Sequence, residues 1–191
     1  MKIVGLTGKK RSGKDTAATA LVEQRGFVRV GFADAVKDLA LRVNPQILNA
    51  PGPYGRLSWA VKHYGWEMTK NTPEVRRFLQ ELGIGVRDIE DDFWLSAWTR
   101  ALVRKHPQAQ HVVVPDVRFA NEAEALRSDF WVRGDALLIR IERPDLADDG
   151  DRHVSETEMD RIEPDLTIVN DGTAADLRAK VLAAYDEWVG A

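Results

Sequence analysis

The sequence of 191 residues contains no cysteine. This absence excludes a disulfide framework and any metal site built from thiolates. The chain also has no excess of positive charge, since 27 Lys and Arg stand against 30 Asp and Glu, for a net charge of -3. Long nucleic acid is therefore not an expected partner. No apolar run approaches the length of a membrane span, so we expect no membrane partner either.

The start of the chain lacks the features of a signal peptide, because residues 1–6 are too short and lead directly into a glycine-rich segment. We therefore expect a cytoplasmic protein. Hydrophobic residues make up 44% and charged residues 30% of the chain, as in an ordinary globular protein. The length suits one domain, so the sequence predicts a single domain over 1–191 that acts on small molecules.

The most informative segment is GKKRSGK at residues 8–14, which follows the apolar run IVGL at 3–6. A strand that ends in a glycine-bracketed loop and continues as a helix directs backbone N–H groups and the positive end of the helix dipole at one small volume. Gly8 and Gly13 permit close backbone approach, and Lys14 can reach the β- and γ-phosphates of a nucleotide. The segment predicts a phosphate-binding loop; the alternative is a glycine-rich turn with solvated lysines.

The residue after the loop lysine departs from the usual motif. It is Asp15, where a Ser or Thr normally offers its hydroxyl to magnesium. Successive helical residues point about 100° apart, so Thr16 is expected to turn toward the sheet. Asp15 therefore either holds magnesium through water or lies near an acceptor phosphate, and the residues leave both open.

Short β-branched runs alternate with helical patterns along the chain. This alternation predicts an α/β fold with a mainly parallel, five-stranded sheet and helices on both faces. The first helix is expected over about 15–24, with Gly26 as a left-handed cap. The last is expected over about 174–188, with Thr173 and Asp176 as a variant capping box. The five expected strands, all predicted to be buried, are 2–6, 27–32, 111–114, 136–141 and 166–169.

Two stretches interrupt the alternation. Residues 44–57 carry three prolines and two glycines and are expected to form a loop. Helices are expected after it over about 59–63, 73–82 and 93–105, which makes a helical insert of about 44–105. Residues 143–157 have little apolar content and fit a mobile flap, so we expect a lid over about 143–160.

A carboxylate and an arginine, Asp116 and Arg118, follow the third expected strand. Ligands of open α/β sheets bind at the carboxyl ends of the strands. There Asp116 can hold magnesium or its waters, and Arg118 can pair with phosphate oxygens. The two residues equally fit an internal salt bridge, with Asn121 as a helix cap.

The insert offers further charged side chains. Arg76 precedes Gln80 by one helical turn, and Arg87 follows an expected glycine break, so all three can face one pocket. Solvated positions on helix surfaces are the alternative. Together with the segment after the second strand, this region contributes the candidates Asp34, Lys37, Arg76, Gln80 and Arg87.

The flap contains two arginines, Arg143 and Arg152. Phosphoryl transfer spreads charge over equatorial oxygens, which mobile arginines can stabilise while excluding water. A solvated run of charges is the alternative.

A turn with the sequence NDGT at 170–173 follows the fifth expected strand. As a turn and helix cap it needs no function. Its backbone is nevertheless expected beside the first loop, where it can border a purine.

Five segments together resemble the deoxynucleoside monophosphate kinases of phages and some bacteria, and the resemblance covers nearly the whole chain. Its strongest parts are the SGKDT of the loop and DVRF-x-NE after the third strand. Asp is the usual residue after the loop lysine in that family, so Asp15 fits its pattern. The segments are GKKRSGKDT at 8–16, FADAVK at 32–37, RFLQELG at 77–83, DVRFANE at 116–122 and NDGT at 170–173.

The resemblance implies a three-layer P-loop NTPase fold with a nucleotide-monophosphate-binding insert and a lid. It also implies ATP, Mg2+ and a deoxynucleoside 5'-monophosphate, with a diphosphate as product, in the host cytoplasm if the chain is phage-encoded. The catalytic residues would be Lys14, Asp15, Arg118, Arg143 and Arg152, and the metal would lie at Asp15 and Asp116. ATP would contact Gly8, Arg11, Ser12, Gly13, Lys14, Asp15, Thr16, Asn170, Gly172 and Thr173. The acceptor would contact Lys10, Asp34, Lys37, Arg76, Gln80, Arg87, Asp116 and Arg118.

Two other functions stay open at this point. The chain can be another small-molecule P-loop kinase, of the dephospho-coenzyme A or phosphomevalonate type, because the loop with Ser-Gly-Lys-Asp also resembles animal phosphomevalonate kinases. It can also be a regulatory module that binds a nucleotide without turnover. An apolar face over 59–66 leaves a homodimer open.

Overall fold

The computed structural model describes residues 1–52, 55–146 and 158–190. The chain divides into two compact units. The first comprises Met1–Phe32 together with Trp98–Ala191, and the second comprises Ala33–Ala97. The first unit carries the sheet and the glycine-rich loop, while the second is mainly helical.

Five strands form the sheet of the first unit: β1 (Lys2–Thr7), β2 (Val28–Arg29), β3 (His111–Val114), β4 (Asp135–Glu142) and β5 (Leu166–Val169). Their spatial order is β2-β3-β1-β4-β5, and every pairing is parallel. Parallel neighbours need crossover connections, which helices supply here. The predicted α/β fold with a five-stranded parallel sheet is confirmed.

The helices in the described residues are α1 (Lys14–Arg25), α2 (Phe32–Val43), α3 (Leu57–Thr69), α4 (Pro73–Ile89), α5 (Phe93–Lys105), α6 (Ala120–Arg127) and α7 (Ala174–Gly190), with a 3-10 turn at Glu158–Arg161. The capping glycine predicted for α1 is confirmed, since Gly26 has a φ of 68°. In the part of the chain that the structure describes, no helix combines the length and apolar character needed to cross a bilayer.

Helices cover both faces of the sheet. On one face, Leu21 of α1 and Val181 of α7 share a buried core with Leu6 and Ile139 of the sheet. On the other face, α6 lies so close to Gly5 that a Cβ there would come within 2.8 Å of a Leu126 methyl group. The first unit therefore has three layers, with the glycine-rich loop at the carboxyl end of its central strand.

The second unit has its own core. Ala40 of α2, Leu57 of α3 and Val75 of α4 are buried together, with Leu79 packed against them. Pro73 begins α4, as predicted, because proline fits the first helical turn. Burial of this apolar stripe accounts for the arrangement of these three helices.

Three expected elements differ from the structure. Strand β2 is shorter than 27–32, because Phe32 already begins α2. Strand β5 lies at the edge of the sheet, where only Ile168 is buried, so its predicted burial is wrong. Helix α4 continues through Gly83 to Ile89, so the expected break before Arg87 is absent. Packing of the apolar stripe outweighs the low helix propensity of glycine at that position.

Two predicted segments are only partly comparable with the structure. The lid at about 143–160 extends into residues that lie outside the described ones, and Arg152 is among those. The insert at about 44–105 overlaps most of the second unit, Ala33–Ala97. Both segments stay predictions.

Candidate functional site

The loop between β1 and α1 depends on its two glycines. Gly8 has a φ of 130° and Gly13 a φ of 114°, values that residues with a Cβ rarely adopt. Space is lacking as well: a Cβ at Gly8 would collide with the carbonyl oxygen of Ile141, and one at Gly13 would come within 2.6 Å of Leu177 Cδ2. The loop is therefore held tightly against β4 and α7.

A cavity of about 330 Å³ opens where this loop meets α1. Its wall carries three cationic side chains and one carboxylate. The first N–H groups of α1 lie there too, and Gly13 as N-cap has no side chain to satisfy them. The N–H groups of the first helical turn, the helix dipole and the cations together favour an anion. The lining residues are Arg11, Gly13, Lys14, Asp15, Thr16, Arg143, Asn170, Gly172, Ala174 and Leu177.

Lys14 bridges its own loop. Its Nζ donates to the carbonyl oxygen of Gly8 and, at 2.8 Å, to that of Lys9. A phosphate oxygen is a stronger acceptor for an ammonium group than a neutral carbonyl oxygen. Lys14 can therefore exchange a loop carbonyl for a phosphate in the same cavity.

Asp15 and Thr16 both line the cavity. The expected turn of the Thr16 side chain toward the sheet stays a prediction, since the backbone of a residue in the first helical turn can also line the cavity. Asp15 is exposed and offers one carboxylate. Among the described residues, no cluster of three or more His, Cys, Asp or Glu forms a ready-made metal cage. The single carboxylate of Asp15 fits Mg2+, because that ion binds one or two carboxylates together with substrate phosphates and water.

The turn after β5 lies beside the loop, as the sequence predicts. The Asn170 backbone N–H donates to the Glu142 carbonyl oxygen at 2.6 Å, and its Nδ2 donates to the Ser12 carbonyl oxygen at 2.8 Å. The capping box that begins α7 is also confirmed. Thr173 N–H donates to Asp176 at 2.8 Å, and Asp176 N–H donates to Thr173 Oγ1 at 3.2 Å. The bonds from Thr173 hold the pKa of Asp176 below its ordinary value.

Asp116 lies at the end of β3, where the sequence places it, and has a structural contact there. Its Oδ1 accepts a hydrogen bond from Phe32 N–H, the first residue of α2, at 2.9 Å. Gly31 makes room for this contact, since a Cβ at that position would come within 2.7 Å of the carboxylate. Asp116 thus caps α2, and its role toward a metal stays a prediction.

The helix after Asp116 is capped differently from the prediction. The backbone N–H groups of Arg118 and Phe119 donate to Glu122 at 2.8 and 3.2 Å, and Glu122 is buried. Phe119 is the N-cap, so the expected cap at Asn121 is wrong. A carboxylate at the third helical position can cap the helix because it reaches back to the backbone N–H groups that precede the first turn. The role of Arg118 toward phosphate stays a prediction.

The candidates of the second unit lie on α2 and α4. Because α4 is unbroken, Arg76, Gln80 and Arg87 fall within about 40° of one another on one helix face. The Arg87 side chain is only 8% exposed and lies 3.9 Å from Asp91. On α2, Lys37 pairs with Asp34 at 3.3 Å. None of these contacts tests whether the five residues bind the acceptor, so that role stays a prediction.

Two cavity-lining residues were missed in the sequence. Ala174 and Leu177 belong to the first turn of α7 and have no polar group to mark them. The signal that was available is their position directly after the predicted turn at 170–173.

Comparisons with known proteins assign the chain to a family. The family model described as deoxynucleotide monophosphate kinase matches residues 58–181. A curated protein of Acanthamoeba polyphaga mimivirus, named for the same kinase activity, is 34% identical over 210 residues, covering 97% of this chain and 97% of that protein. The chain belongs to the deoxynucleotide monophosphate kinase family. Membership of this family makes it a kinase, and therefore a phosphotransferase.

More distant similarities accompany this match. An uncharacterized protein of Ictalurid herpesvirus 1 (strain Auburn) is 28% identical over 179 residues, which cover 93% of this chain and 68% of that protein. Among solved structures, the dephospho-CoA kinase of Campylobacter jejuni is 14% identical with a TM-score of 0.48, covering 97% of each chain. Shikimate kinase of Aquifex aeolicus vf5 is 11% identical with a TM-score of 0.46, covering 97% of this chain and 96% of that one.

Proposed function

We propose that this member of the deoxynucleotide monophosphate kinase family transfers the γ-phosphoryl group of ATP to a deoxynucleoside 5'-monophosphate. The observation that carries the proposal is the cationic cavity at the start of α1. Lys14, Arg11 and Arg143 line it together with the N-terminal residues of the helix. Such a site is suited to the polyphosphate of a nucleotide.

The proposed reaction is an in-line displacement. A 5'-phosphate oxygen of the acceptor forms a bond to the γ-phosphorus, the bond from that phosphorus to the β–γ bridging oxygen breaks, and the electron pair leaves with ADP. A phosphate oxygen is already a competent nucleophile, so the protein has mainly to position the reactants and neutralise charge. No covalent enzyme intermediate is needed.

The described residues would divide this work. Lys14 and the N–H groups of the loop would hold the donor phosphates, and Arg143 would stabilise the transferring group. Asp15 would hold Mg2+, which when bound supplies charge neutralisation between the donor phosphates. Acceptor binding would fall to Lys10, Asp34, Lys37, Arg76, Gln80, Arg87, Asp116 and Arg118.

A coupled assay of ADP release tests the proposal. Purified protein with ATP and Mg2+ is given dGMP, dTMP, dCMP and dAMP in turn, and dephospho-coenzyme A and phosphomevalonate in separate reactions. We expect ADP release that depends on at least one deoxynucleoside monophosphate. Release only with one of the other two acceptors would replace the proposed substrate, and ATP binding without release with any acceptor would indicate a regulatory module.

A further inference from the structure

Asn170 joins three parts of the first unit. Its backbone N–H is bonded to Glu142 at the end of β4, so the residue is fixed to the sheet. Its side chain reaches the phosphate loop, where Nδ2 donates to the Ser12 carbonyl oxygen at 2.8 Å. A Cβ on Gly13 would lie 2.8 Å from the same Nδ2, which shows how closely the amide packs on the loop.

The bond to Ser12 fixes the orientation of one peptide group. The Ser12–Gly13 peptide is planar and trans, so its C=O and N–H point in opposite directions. An amide that holds the C=O on one side therefore turns the Gly13 N–H to the other side. Gly13 is the N-cap of α1 and lines the cavity, so this N–H belongs to the set that can receive an anion.

We propose that Asn170 is a positioning residue for the donor phosphates, which it serves by orienting the Ser12–Gly13 peptide. This inference rests on the proposed function. It differs from a contact with the purine of ATP, because its effect is on the polyphosphate and is independent of the base. Gly13 and Asn170 then act together: Gly13 permits the backbone conformation at this position, and the amide of Asn170 holds the Ser12–Gly13 peptide in it.

Two substitutions at this position remove the bond to the Ser12 carbonyl oxygen, and the first also brings a negative charge to the cavity. Asn170→Asp keeps the size and shape of the side chain but replaces the donating Nδ2 with an acceptor that faces the Ser12 carbonyl oxygen. Asn170→Ala removes the amide altogether. Asp171→Asn is the matched control, since Asp171 is the next residue of the same turn and pairs with Lys180 at an exposed position.

The experiment measures the affinity of the wild type and each variant for ATP and for inorganic tripolyphosphate, by calorimetry with Mg2+ present. Thermal unfolding of each variant is followed in parallel. We expect Asn170→Ala to weaken both ligands by the same factor, roughly three- to ten-fold, as for one lost hydrogen bond. Asn170→Asp should weaken the binding of both ligands by at least about ten-fold, whereas Asp171→Asn should leave the affinity for both unchanged.

The outcomes separate the inference from the proposed function. Weaker ATP with unchanged tripolyphosphate in both Asn170 variants would show a base contact and overturn the inference, as would unchanged affinity for both ligands. A wild type that binds ATP but no tripolyphosphate would overturn it too. A wild type that binds neither ligand would instead remove the proposed function. If Asn170→Ala fails to fold, Asn170→Leu decides, because it keeps nearly the size of the side chain, removes the donor and adds no charge to the cavity.

Discussion

Lys14 donates from its Nζ to the carbonyl oxygen of Lys9 at 2.8 Å, across the loop that both residues share. The ammonium group thus already lies beside the cavity, held by neutral acceptors. An anionic phosphate oxygen competes well against such acceptors. The position of this lysine is therefore compatible with both a closed loop and a bound polyphosphate.

Replacing Lys14 should stop turnover while leaving the fold intact. Lys14→Met keeps most of the length of the side chain but removes the charge, so the transferring group loses one of its fixed donors. We expect kcat to fall by about a hundred-fold or more, since donors of this kind contribute that much. Steady-state kinetics and thermal unfolding measure the two effects, with Lys62→Met on the exposed surface of α3 as control. Activity close to that of the wild type would remove the loop from the mechanism.

Arg11 has a φ of 64°, a left-handed conformation that is unfavourable for a residue with a Cβ. The side chain lines the cavity, which gives a reason for an arginine at a position better suited to glycine. Arg11→Gly and Arg11→Ala both remove the cation, but only the glycine variant relieves the backbone. We expect equal losses of ATP affinity, and a free energy of unfolding about 1 kcal/mol higher for Arg11→Gly than for Arg11→Ala.

Calorimetry with ATP and chemical denaturation test this pair. Equal stability of the two variants would show that the conformation costs little. Unchanged affinity in both would show that the cation has no part in binding.

Helix α4 contains two glycines with different positions relative to the candidate acceptor residues. A Cβ at Gly83 or at Gly85 would meet no atom within 4 Å, so packing requires neither glycine. By helical geometry Gly83 lies within about 20° of Arg76, whereas Gly85 lies about 180° away. Each substitution to alanine should raise the free energy of unfolding by about 0.8 to 1.0 kcal/mol.

Only Gly83→Ala should affect acceptor binding. If the face of α4 that carries Arg76 binds the acceptor, the methyl group added by Gly83→Ala takes up space on that face and raises the acceptor KM. Gly85→Ala adds its methyl group on the opposite face and leaves that KM unchanged. Steady-state kinetics with a saturating donor measures both. The same KM in the two variants would argue against acceptor binding on this face.

The parts of the structure that the sequence predicts well are those set by neighbouring residues. The bounds of β3 and α5 match the predicted 111–114 and 93–105, and the caps at Gly26 and Thr173 depend on residues within one turn. The loop is of the same kind, because glycine and lysine at fixed spacing act on their own backbone. Local chemistry was therefore enough to predict the loop and the candidate site beside it.

Contacts between distant residues were beyond the sequence. Asp116 accepts from Phe32 across 84 positions, so a candidate metal ligand has a capping contact that no local pattern reveals. Asn170 reaches Ser12 across 158 positions, and that bond depends on β4 and β5 being neighbours in the sheet. The exposure of β5 likewise follows from its place at the sheet edge, which its apolar sequence does not show.

The pairing of Arg25 on α1 with Asp186 on α7 predicts a pH dependence of stability. The hydrogen bond from Arg25 holds the pKa of Asp186 below its ordinary value of 3.8. The folded state therefore binds the proton less readily than the unfolded state, so the pair stabilises the protein above about pH 3.8 and loses this effect as the pH falls through the lowered pKa. Asp186→Asn should lower Tm slightly at neutral pH, since the pair is exposed, and the difference from the wild type should vanish once the pH lies below the lowered pKa of Asp186. Thermal unfolding from neutral to acidic pH measures this difference in Tm, with Asp129→Asn in the exposed turn before β4 as control. A difference in Tm that stays constant with pH would show that the charge of the Asp186 carboxylate is not its cause.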